Sequence, residues 1–217
     1  FQRVVEFETQ TSGRNVLFGI VKTRAQVQPF VGLMSLIVKG RPKKYKVIAA
    51  KTISLPDRPS AYMSNGHGDE VIQFAEDTGN TLSVKVKNAT AVGSDSDSVS
   101  MMATLARAKN ANFIFTIWKP TQSDLMQEAE AVGEWTLGDW FVKGISQHRS
   151  LPSSSSLCVL MDRDYSTTGS RILFIYTGST HDHEATKLIR AMLHNPSVQV
   201  EVLVAIDKTA SPEAVTQ

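Results

Sequence analysis

Thr177-Gly178-Ser179-Thr180 is the stretch of this chain with the best claim to chemistry. A glycine turn between an apolar run and a helix gathers backbone N–H groups at the positive end of that helix. Phosphates and other anions bind to such an arrangement. Gly178, Ser179 and Thr180 are therefore the candidate ligand-binding residues; the plain alternative is a β-α turn that needs one positive φ at Gly178. His181-Asp182-His183-Glu184 follow at once, and two neighbouring imidazoles suggest zinc binding or proton sensing. Zinc wants a third and fourth ligand, and the single Cys158 precedes the pair by a whole strand. Exposed turn histidines are the better reading, and no metal site is assigned. As a pH sensor, the pair has nothing in the sequence to set it above His67, His148 or His194.

The remaining polar clusters are weaker. Asp162-Arg163-Asp164 and Asp57-Arg58 resemble acid/base pairs, yet no Ser/His/Asp spacing, nucleophile elbow or metal triad accompanies them. They read as loop ion pairs; no catalytic residue is assigned, and the chain is read as no enzyme. Arg41-Pro42-Lys43-Lys44-Tyr45-Lys46 is a basic cluster that suits weak contact with anionic lipid, or simply a solvated loop opening a strand. Gly93–Ser98 is either a phosphoacceptor tract or a flexible polar loop.

Alternating strands and helices must position these residues. Val16–Val21 and Asn112–Trp118 are continuous apolar runs, as expected of strands covered on both faces of a parallel sheet, and Arg171–Tyr176 reads the same way. Pro29 fits the first turn of a helix carrying Phe30, Leu33, Met34 and Ile37, with Gly40 at its end. Further elements are a strand at Tyr45–Thr52, a helix at Asp69–Thr78 stopped by Gly79, and a half-exposed strand at Leu82–Val86. A helix follows at Val99–Lys109, capped by Asp97 or Ser98. Pro120–Val132 is an acidic excursion, Thr136–His148 a helix and Leu157–Met161 a strand. Ala185, Leu188, Ile189, Met192 and Leu193 then mark an amphipathic helix ended by His194-Asn195-Pro196, and Val198–Ile206 is the returning strand.

This order predicts an α/β, Rossmann-like, doubly wound parallel architecture. Residues 1–14 read as a linker, 15–164 as a first unit and 165–217 as a second, partial β-α-β unit. The second unit has too few strands to cover its own apolar surface, which points to a homodimer. With 23 basic and 21 acidic residues among 217, net charge is +2, so bulk charge implies no nucleic acid partner. One cysteine excludes an intrachain disulfide and favours a reducing setting. No apolar run reaches transmembrane length, and Phe1 in place of a starting methionine suggests a fragment of a larger protein.

The string from Leu157-Cys158-Val159-Leu160-Met161-Asp162-Arg163 to Arg171–Gly178 and His181–Ala185 resembles the cytosolic C-terminal region of eukaryotic monovalent cation/proton antiporters. These include the plant cation/proton exchangers and the fungal K+/H+ antiporters, the fungal branch matching better. Asp162-Arg163, Glu184-Ala185 and Met192-Leu193-His194-Asn195-Pro196 keep the family wording, although Asn195 is inserted and His183 replaces the usual arginine. Asn15–Ile37 and Leu55-Pro56-Asp57-Arg58 are similar to the family's first strand-helix unit and to its Leu-Thr-Asp/Gly-Arg element. The resemblance spans roughly residues 14–206 and implies tandem universal-stress-protein-like units, the second incomplete. It further implies a non-catalytic regulatory domain that tunes K+/H+ antiport by self-association or ligand sensing. The partner would be the membrane transport domain of the same polypeptide, a multi-pass protein, and the location the cytosolic face of a Golgi- or endosome-like endomembrane. The alternative is a free-standing universal-stress-type nucleotide-binding protein. ATP-binding members carry a Gly-x2-Gly-x9-Gly-Ser/Thr loop after the fourth strand; here Trp118-Lys119-Pro120-Thr121 stands there, so no cofactor is expected.

Overall fold

The computed structural model describes residues 14–54, 69–93, 97–118, 144, 151, 155–161 and 171–205. Five strands form one parallel sheet: β1 Asn15–Ile20, β2 Tyr45–Ser54, β3 Val86–Gly93, β4 Phe113–Trp118 and β5 Ser156–Met161, in the order β3-β2-β1-β4-β5. β1 is central because its residues are apolar on both faces. Leu17 lies in one core cluster and Val16, Phe18 and Ile20 in the other. Helices α1 (Arg24–Val38) and α2 (Glu70–Thr81) cover the first face, and α3 (Ser98–Ala108) covers the second. On that second face Gly144 sits close against Val99 of α3. The helix expected at Thr136–His148, apart from Gly144, and the excursion at Pro120–Val132 lie outside the described residues, as does the 1–14 linker up to residue 13.

The second β-α-β consists of β6 (Arg171–Tyr176), α4 (Thr180–Met192) and β7 (Gln199–Val204), with β6 and β7 parallel in a separate two-stranded sheet. Its helix belongs to the first unit's core all the same. Ala191, Met192 and Val198 join the cluster built on Phe30, Met34 and Phe115. Asn195 is buried and donates from Nδ2 to the carbonyl of Leu36 at 3.4 Å. Among the described residues no helix is long and apolar enough to cross a membrane.

Several expectations shift. The first helix begins at Arg24, so Pro29 lies inside it, buried against the sheet, instead of in its first turn. Gly79 does not stop α2, which runs on to Thr81. The glycine is needed there because a Cβ would strike the carbonyl of Val84 and the side chain of Val86. The strand placed at Leu82–Val86 starts only at Val86, since Ser83 turns the chain at φ 59°. Asp97 does occupy the N-cap of α3, without a side-chain cap hydrogen bond. The largest difference is at β6, which is neither central nor buried. Ile172 and Phe174 are half-covered, while Leu173 and Ile175 are open to solvent. An apolar run is buried only when helices cover both faces, and here α4 covers one.

Candidate functional site

The Thr177–Thr180 turn has the geometry expected of an anion cradle. Gly178 takes φ 83°, and Ser179 N-caps α4. The cradle is filled from within. One carboxylate oxygen of Asp182 accepts from the Thr177 N–H at 2.8 Å, the Thr177 hydroxyl at 2.7 Å and the Ser179 N–H at 3.0 Å. In return the Asp182 N–H donates to Ser179 Oγ at 3.3 Å, completing a capping box. The Thr177 hydroxyl and then its N–H hold the Asp182 carboxyl well below the usual carboxylate range. A phosphate at Gly178, Ser179 and Thr180 would have to displace this side chain. Asp182 is the residue that the sequence reading passed over; its signal was a carboxylate three residues after a capping serine.

His181 and His183 are both exposed, and His183 stands edge-on to Tyr176 with ring centroids 6.4 Å apart. Among the described residues no group of three or more His, Cys, Asp or Glu side chains converges as a metal site would require.

A doubly wound sheet binds ligands where its strand order reverses, here beyond the carboxyl ends of β1 and β4. Gln26 of α1 reaches across that place. Its Oε1 accepts from the Lys22 N–H at 2.7 Å, and its Nε2 donates to the Ile117 carbonyl at 2.8 Å, tying the two strand ends together. On the other face of β4, one residue before Ile117, the Thr116 hydroxyl is buried without a hydrogen-bond partner among the described residues. At the carboxyl end of β2, Asp69 caps α2 through the N–H groups of Val71 and Ile72 and pairs with Lys51 at 2.7 Å. Burial alone would raise the Asp69 carboxyl. The hydrogen bond and charge of Lys51, with the two capping N–H groups, outweigh it and hold the group low. A depressed carboxylate contributes stability above its unfolded pKa and loses it as pH falls through the folded value. Asp69→Asn keeps a cap and loses the charge. Its deficit against the parent, about 1–2 kcal/mol at neutral pH, should shrink in denaturant titrations below about pH 4. A deficit constant down to low pH would contradict the pair's contribution.

Between β5 and α4 runs a groove of about 990 Å³ whose apolar floor is Leu33, Phe113 and Phe115. Cys158 lines it, its thiol pushed up to about 11 by burial and then by the charge of Glu184. Glu184 is itself held low, first by the Lys187 hydrogen bond at 2.5 Å, with burial opposing and the Ser156 hydroxyl at 2.9 Å assisting. A protonated thiol beside an engaged carboxylate is a poor nucleophile.

No protein-family model matches this chain, and no curated protein is similar to it in sequence. Among solved structures it is similar to a universal stress protein from Archaeoglobus fulgidus DSM 4304, with a TM-score of 0.50 and 16% identity, over 91% of this chain and 70% of that one. The five-stranded parallel sheet with its flanking helices therefore has the α/β fold of a universal stress protein.

Proposed function

We propose that the chain is a regulatory domain without catalysis of its own, attached to the membrane part of a monovalent cation/proton (K+/H+) antiporter at a cytosolic surface. In this reading it tunes transport through association with a second copy. The observation that carries it is the unfinished second sheet. β6 and β7 have no further strand partners among the described residues, and two paired strands are marginal alone in water. Register puts Leu173, Ile175 and Leu203 on the face away from α4, where they are 61%, 52% and 54% exposed. Three neighbouring exposed apolar side chains, bordered on the same face by the Arg171–Glu201 ion pair, form the apolar centre and polar rim of an association site. Further support comes from the resemblance of residues 157–196 to the antiporters' cytosolic region. The inward-turned Asp182 adds to it by disfavouring anion binding at the glycine turn.

Equilibrium sedimentation tests the association. The protein should dimerise reversibly, and Leu173→Lys with Leu203→Lys should weaken the dimer at least about tenfold, by burying charge on that face. A monomer at all concentrations, or a dimer indifferent to both lysines, would remove the support.

The alternative, a free-standing nucleotide-binding protein, is favoured by the unpartnered Thr116 hydroxyl beside the strand-order reversal. Calorimetry with ATP separates the two, since tight saturable binding would favour the alternative. A coding frame running upstream through repeated apolar segments of about 20 residues would favour the antiporter.

A further inference from the structure

In a parallel α/β sheet all strands begin at one edge, and the covering helices end there. In this protein that edge collects positive charge from elements far apart in sequence. Lys39 and Arg41 follow the end of α1, and Lys43 lies in the short 3-10 turn Pro42–Lys44 that leads into β2. Arg14 precedes β1, Lys85 precedes β3 and Lys109 follows α3. All but half-covered Arg41 are exposed, and among the described residues none of them is in an ion pair. The second half of α2 also carries Glu76 and Asp77, each hydrogen-bonded to a neutral amide, Asn88 and Gln73, so these two charges reduce the positive excess at this edge without cancelling it. Six of the chain's 23 basic residues thus gather at this end, in a protein whose net charge is only +2.

An apolar residue stands at the same end. α4 runs alongside α1, and its C-terminus meets the end of α1 at Gly40, which packs on the backbone of His194. That places Leu193, 53% exposed, beside the Lys39–Lys43 cluster, with exposed Pro42 nearby.

We propose that this edge of the sheet is a docking face for an anionic lipid membrane, its cations resting on headgroup phosphates and carboxylates while Leu193 reaches the acyl boundary. A nucleic acid is the less suited occupant. The cations are spread over a broad end formed by several elements, and the one aromatic among them, Tyr45, is half-buried and so poorly placed to stack on bases. A lipid surface accepts a broad array of point charges without base readout and favours one exposed apolar residue among them. The inference rests on charge geometry. It also deepens the regulatory reading above, because β1 starts at this edge and a segment preceding Asn15 would join the fold on the lipid side.

The test is co-sedimentation of the 217-residue protein with vesicles of phosphatidylcholine, with and without phosphatidylserine. Binding should require phosphatidylserine and fall steeply with added salt. Lys39→Glu, Arg41→Glu and Lys43→Glu together should lower partitioning at least about tenfold, since each cation near such a surface is worth about fivefold. Leu193→Asn should weaken binding several-fold and leave the salt dependence unchanged. Arg24→Glu, at the opposite end of the sheet, should bind as the parent does. Circular dichroism on each variant verifies that the fold is kept. Equal binding to both vesicle types, or a triple variant that still binds, would overturn the proposal, as would single-stranded RNA that competes the protein off the vesicles. The assay asks nothing of transport or dimerisation, so its failure and failure of the antiporter reading are separate results.

Discussion

Gly40→Ala should loosen the β6-α4-β7 segment from the rest of the protein. A Cβ at residue 40 would overlap the carbonyl carbon and oxygen of His194, closer than real Cβ atoms approach. Both obstacles are backbone, so no rotamer change relieves them, and one of the two helix ends must move. Moving the end of α4 weakens the Asn195–Leu36 hydrogen bond and uncovers Met192 and Val198, which are buried against α1. The expected cost is about 3 kcal/mol, the upper part of the range for inserting a methyl into a tight contact. Amide exchange should locate it. Protection should fall across residues 180–204 and hold in β1, β2 and β4, whose contacts do not pass through Gly40. An unchanged exchange pattern would mean that the α1–α4 contact yields more easily than its geometry indicates.

Gly19→Ala should be of similar size with the opposite distribution. Gly19 lies in β1 at the middle of the sheet, and the ring of Phe30 rests on it so closely that a Cβ would overlap the ring carbons. Phe30 is fully buried and stacks at a tilt on Phe115, with centroids 6.2 Å apart, so the ring has nowhere to retreat. Overpacking here should cost about 3 kcal/mol and lower Tm for the whole sheet at once. Phe30→Ala alone should cost about 3–5 kcal/mol by leaving a cavity. The double variant should be more stable than the two losses predict, because the new methyl fills part of the space that the ring vacates. Strict additivity in urea unfolding would show that the two residues do not share that space.

The elements that were legible in the sequence are those whose burial is decided locally. Val16–Val21 and Asn112–Trp118 read as covered strands, and β1 and β4 lie inside the sheet; in the stripe read over Ala185–Leu193, Leu188, Ile189 and Met192 pack on the core, while Leu193 is the exposed C-cap. Arg171–Tyr176 carries the same apolar signal and was misplaced, since an apolar run states a demand for cover and cannot say whether helices answer it. Gly79 misled in the opposite way: it leaves room for the Val84 carbonyl and the Val86 side chain, a tertiary requirement that looks like a helix stop along the chain. At the candidate site the position of the glycine turn was legible, and its occupancy was not. Gln26 and Asp182 take part through hydrogen bonds whose partners are fixed only by the fold or by turn geometry.

The bond between Asn195 and Leu36 joins residues 159 positions apart, and the face on which it forms is made entirely by the first unit. A chain leaving the ribosome can therefore pair β1 with β2 and β4 before residues 180–198 have emerged, whereas α4 has no surface to settle on until that sheet exists. Docking of α4 must therefore follow formation of that face, and its hydrogen bond to Leu36 spans 159 positions, a separation of the kind that slows folding. Until it happens, Phe113 and Phe115 lack part of their cover, and the nascent protein passes through an interval in which its apolar sheet face is open to other chains.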